Sequence, residues 1–110
     1  MAFDDELADR IRALLSDRTD VREQRMFGGL AFLVGGNMAI AASGQGGALV
    51  RVDPAQSAEL VASGAAEVAI MRDRPMTGWL RVASADLDTA ADLARWVDLG
   101  TTYAASLPPK

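Results

Sequence analysis

Histidine and cysteine are both missing from the 110-residue chain, and its single lysine is Lys110. Without imidazole or thiol, the usual general base, disulfides, thiolate nucleophiles and the common zinc and iron–sulfur ligand sets are excluded together. A serine nucleophile with a lysine base would depend on Lys110, which follows Pro108 and Pro109 at an end expected to fray. Long apolar runs are absent as well. The longest, residues 30–34 and then 38–42, is broken by Gly35, Gly36 and Asn37, far short of the roughly 20 residues of a membrane helix. No basic n-region precedes the acids that begin at Asp4, so a soluble, cytoplasmic protein with no membrane association is expected. A net basic charge is also lacking: 15 Asp and Glu against 11 Lys and Arg give −4. That balance argues against direct nucleic-acid binding, which draws its non-specific affinity from phosphate contacts. Even the arginine-rich stretch Arg10, Arg12, Arg18, Arg22 and Arg25 is outnumbered by Asp4, Asp5, Glu6, Asp9, Asp17, Asp20 and Glu23, and it reads as a solvated, salt-bridged face.

What is present is apolar material. Half of the residues are hydrophobic and 24% are charged, the balance of an ordered globular unit, and the length fits one domain spanning 1–110. Leu7, Ile11, Leu14 and Leu15 fall on one face of a helix over residues 4–17, capped by Asp4 or Asp5. Residues 30–34 read as a strand buried on both faces, with a Gly-rich turn into a return strand at 38–43. Residues 48–52 form a third strand, with Arg51 between two valines on a wet face, and a short extra strand is placed at 22–27. Asp53 and Pro54 open a second helix that Gly64 closes. Residues 67–71 and 79–82 read as a strand pair joined by a loop over 72–78. Asp86 or Asp88 caps a last helix with Leu93, Val97 and Ala104 on its stripe and Gly100 as a weak point. The order α-β(3)-α-β(2)-α, with short hairpins, predicts an α+β two-layer domain: an antiparallel sheet of about five strands covered by helices on one face.

Few of these residues suggest chemistry. The Gly pairs lie between strands and read as turns rather than as a phosphate-cradling loop. Asp86, Asp88 and Asp92 lack the spacing and glycine of a calcium loop and read as helix-start acids. Glu67 and Asp73 flank a strand without forming an acid/base dyad. No catalytic residue, cofactor site or metal site is assigned. Met26, Met38, Met71, Met76, Phe27, Phe32, Trp79, Trp96 and Tyr103 are core candidates that also suit an adaptable partner groove. Among them Arg74, Met76 and Trp79, on a Pro-containing loop, are the candidate partner surface.

The run Arg25, Met26, Phe27, Gly28, Gly29, Leu30, leading into an apolar strand, a tight turn and a second strand, resembles the N-terminal domain of the TfoX/Sxy family. Its most specific element is Met26, Phe27, Gly28 and Gly29. The Val52–Asp53 pair before a helix, the stretch from Arg74 to Trp79 and the closing helix with Trp96 resemble short stand-alone members. The resemblance implies an antiparallel α+β fold similar to secretion-chaperone-like domains, and a link to competence regulation that belongs to two-domain members. It supplies no catalytic residues. The leading expectation is a non-enzymatic regulatory module that binds an unidentified protein partner, with homodimerisation as one route. The competing expectation is small-ligand binding or a carboxylate/metal-dependent enzyme using Asp86 and Asp88.

Overall fold

The protein is described by a computed structural model over residues 3–109, apart from Phe27, Ala65 and Arg72. Helix α1 spans Asp5–Leu14, and the Asp4 carboxylate caps it by accepting from the Glu6 and Leu7 amides. The stripe turns slightly from its expected position. Leu7, Ala8, Ile11 and Leu15 are buried while Leu14 is 46% exposed, because the narrow contact admits the i, i+4, i+8 line and leaves i+7 at the rim.

Strands β1 (Val21–Met26), β2 (Gly29–Val34), β3 (Asn37–Ala42) and β4 (Ala48–Arg51) follow as a meander. Helix α2 (Pro54–Ala62), strands β5 (Glu67–Met71) and β6 (Arg74–Val82), a short 3-10 turn (Ser84–Leu87) and α3 (Ala90–Ser106) complete the described order. All neighbouring strands are antiparallel in one sheet of order β1-β2-β3-β4-β6-β5. The α+β class therefore holds, with six strands rather than about five. The extra strand is β1, which pairs with β2 along its length although Arg22, Glu23, Gln24 and Arg25 are exposed. Its sequence lacks apolar alternation because it is an edge held by backbone hydrogen bonds.

Every residue of β2 and β3 is buried. Phe32, Val34 and Ile40 join α1, α2 and α3 in the main core, while Ala31, Leu33, Met38 and Ala41 cluster on the opposite face. A bulge in the β2–β3 pairing shifts the register between Phe32 and Leu33. Ile40 opposes Phe32 and Met38 opposes Leu33, so Ala39 is the extra residue and joins Ile40 in the helix-side core. Helix α3 packs across this strand with Leu93, Trp96, Val97, Gly100, Thr101 and Ala104 buried. Trp96, 1% exposed, sits at the centre of that face.

Gly100 neither ends nor breaks α3. A Cβ there would strike the Ala39 carbonyl oxygen and lie 3.3 Å from Val50 Cγ1, so glycine is required by the closeness of helix and sheet. The α3 cap also departs from expectation. Thr89 Oγ1 accepts from the Asp92 amide, because the 3-10 turn takes up Asp86 and displaces the helix start past Asp88.

Two outcomes follow from this packing. Glycine-to-alanine in a helix interior ordinarily gains about 1 kcal/mol. Gly100→Ala should instead lower stability by about 1–3 kcal/mol through overpacking, read from the urea unfolding midpoint. Glu23 on β1 accepts from Nε and Nη2 of Arg12 on α1, and that contact holds its carboxyl below the usual glutamate range. A lowered carboxyl contributes stability above its unfolded value of about 4.3 and loses it as pH falls. Glu23→Gln should therefore flatten the decline of Tm on acidification, measured by circular dichroism.

Candidate functional site

Helices α1, α2 and α3 all join the main core, which leaves the other sheet face without a helix among the described residues. That face is nevertheless apolar. Ala31, Leu33, Met38 and Ala41 are buried there, with Met26, Leu49 and Trp79 packed against them. Over them lies a groove of about 430 Å³, lined by Met26 from β1, Leu33 from β2, Met38 from β3, Leu49 and Arg51 from β4, and Met76 and Trp79 from β6.

Strand β6 builds the far wall. The sequence reads residues 72–78 as a loop, but residues 74–78 belong to β6 and 74–76 pair with β5. Ala69 opposes Met76 and Val68 opposes Leu80, so residues 77–79 form a bulge. At its centre Gly78 takes φ 89°, donates to Ser57 Oγ at 3.4 Å and accepts from the Val52 amide at 2.7 Å. Pro75 is tolerated because β4 pairs with β6 over 79–82 and leaves one side of the earlier segment without a strand neighbour. Proline and glycine read as a loop from sequence for this reason. The bulge sets Trp79 opposite Arg51 and leaves Met76 on the groove wall.

Of the candidate partner residues, the fold brings Met76 and Trp79 together on the groove. Arg74 is exposed beside the β5–β6 turn and does not line it. The wider aromatic and methionine set divides: Met26, Met38, Met76 and Trp79 line the groove, while Phe32 and Trp96 belong to the main core. Phe27 and the Met71 side chain lie outside the described parts of the chain. In the Met26–Gly29 motif, Met26 packs on the groove floor and Gly28 turns the chain at φ 74°. Gly29 begins β2 where a Cβ would come 2.5 Å from the Ala42 carbonyl oxygen. The two glycines thus have different jobs, one in the turn and one in a close strand contact.

Arg51 is the group that sequence reasoning passed over. Its guanidinium carbon lies 5.0 Å from the Trp79 ring centroid and 5.5 Å from that of Tyr103 on α3. Alternation with valines marks a wet strand face, and nothing in the sequence announces that two distant aromatics close on this arginine. The acids form no site of their own. Asp88 offers its backbone carbonyl to Arg10 at 3.3 Å. Glu67 and Asp73 flank opposite ends of β5. Among the described residues no three Asp, Glu, His or Cys side chains converge, and no helix is long and apolar enough to cross a membrane.

The two tryptophans provide a check on this geometry. Trp79 is half-buried on the groove and Trp96 is 1% exposed. Acrylamide should quench one emission component strongly, and Trp79→Phe should remove that component while leaving the protected one.

No curated protein matches the chain. The family model described as TfoX N-terminal domain matches residues 13–104, a span that runs from the end of α1 to the last turn of α3 and includes the whole sheet and every groove-lining residue. The chain therefore belongs to the TfoX N-terminal domain family.

Proposed function

We propose that the chain is a non-catalytic interaction module that docks a protein partner on the open sheet face, at the rim formed by Met76 and Trp79 with Arg74 beside it. The observation that carries this reading is the apolar floor of Leu33, Met38 and Ala41, which no described helix covers. The floor itself is buried, and the half-exposed Met76 and Trp79 at its rim are what a partner would meet. Methionine and tryptophan suit such a rim, since Met adapts its shape and Trp supplies large contact area at small entropic cost. The groove lining contains one ionisable side chain, Arg51, and no carboxylate, so it offers an acid/base reaction no partner.

The setting that fits this reading is cytoplasmic, with a regulatory role exercised through the partner, including transcriptional or competence control. A second copy of the chain is one such partner. The net charge of −4 gives direct DNA contact no electrostatic support.

Affinity capture with the intact chain, in the presence of nuclease, tests the reading. Met76→Ser with Trp79→Ser should abolish capture of the bound protein while the far-ultraviolet circular dichroism stays unchanged. Capture that survives both substitutions would remove the rim from the interface.

A further inference from the structure

Most of the arginines that meet a partner do so at the surface. Arg12 pairs with Asp9 and Glu23, and Arg18 pairs with Asp20. Arg51 differs in place and in company. It is half-buried, it lines an apolar groove, and the groups set around its guanidinium are the Trp79 and Tyr103 rings. Among the described residues no carboxylate pairs with it and no oxygen accepts from its side chain. Asp53 is committed to capping α2 through the Ala55 amide. Asp98 lines a separate hollow with Tyr103 and forms no ion pair with Arg51.

Ring faces interact with the π surface of a guanidinium and leave its in-plane N–H donors unused. Those donors suit a carboxylate in a two-point contact. The same donors are open to water, so a carboxylate can reach them from the groove. Trp79 and Tyr103 also limit the rotamers of Arg51, so part of the ordering cost of binding is met before a ligand arrives.

We propose that the groove is a binding site for a small organic monocarboxylate with an apolar body, its carboxylate on Arg51 and its hydrocarbon on Leu33, Met38, Leu49 and Met76. The volume of about 430 Å³ lies within the span of small-molecule sites, which are mainly apolar with a few placed polar groups. One unpaired cation matches one negative charge, and a dianion would leave uncompensated charge against apolar walls. The site shares Met76 and Trp79 with the rim of the partner reading but does not rest on it, because its polar anchor is Arg51 on β4 and its test reads a free carboxylate.

The test titrates the full chain with decanoate and, separately, with decanol, following the indole and arginine Nε–H resonances by NMR and the affinity by calorimetry. Decanoate should saturate one site, shift the Trp79 indole and the Arg51 Nε–H, and bind about tenfold or more tightly than decanol. Arg51→Gln should reduce the decanoate affinity to that of decanol, and Arg51→Lys should restore part of it. Equal affinities for decanoate and decanol on the unaltered chain would overturn the proposal, whether or not Arg51→Gln folds. So would shifts confined to residues outside the groove, or a groove closed by a second copy that decanoate does not displace, seen as an unchanged dimer mass by light scattering.

Discussion

The close seating of α3 on β3 is the constraint from which the other features follow. Gly100 lets the helix backbone approach the Ala39 carbonyl, and the β2–β3 bulge is what presents Ala39 to it. Because one residue is added at that point, Ile40 and Ala39 turn toward the helices and Met38 turns away. The bulge therefore assigns methionine to the open face while it completes the main core. Bulges strengthen local twist and bend the strand that carries them. A second bulge, at residues 77–79 in β6, lies on the far wall of the groove.

The two faces hold their apolar residues by different means. On the helix side, Trp96, Phe32, Ile11 and Leu93 interdigitate between layers, and their side chains are almost wholly withdrawn from solvent. On the open side, Leu33 and Met38 are shielded by neighbours on the same sheet, and Arg51, with its stem and stacked guanidinium, covers part of the Trp79 ring. A long cationic side chain can cover apolar surface in this way while keeping its head in contact with water. The groove is thus lined from five strands of one sheet, and its arginine is held from both layers, by Trp79 on the sheet and Tyr103 on α3.

The elements with strong local signals were readable in the sequence. The Asp4 and Asp53 caps, Pro54 at the first turn of α2, and the apolar run of β2 each depend on neighbours a few residues away, and each stands where expected. What escaped reading depends on distant contacts. The charged β1 has no alternation because its order comes from pairing with β2, so the strand placed at 22–27 could be located but its position at the sheet edge could not. Residues 74–78 carry Pro75 and Gly78, which suggest a loop until the β5 register and the Val52 contact are known. Gly100 looks like a break until Ala39 is placed against it. For the site, Met76 and Trp79 were legible as an adaptable pair, whereas Arg51 gains its meaning from Tyr103, 52 positions further along the chain.

The exposed charges of β1 also act on the sheet as a whole. Arg22, Glu23 and Arg25 occupy an outer edge whose backbone groups would otherwise be free to recruit a strand from another chain. A strand arriving there would have to bring complementary charges in register or desolvate those side chains, a common defence against edge-to-edge aggregation. The opposite edge, β5, carries the sequence Glu67-Val68-Ala69-Ile70-Met71, with Ile70 68% exposed. The sheet is therefore asymmetric along its width, with a charged border on β1 and an apolar one on β5.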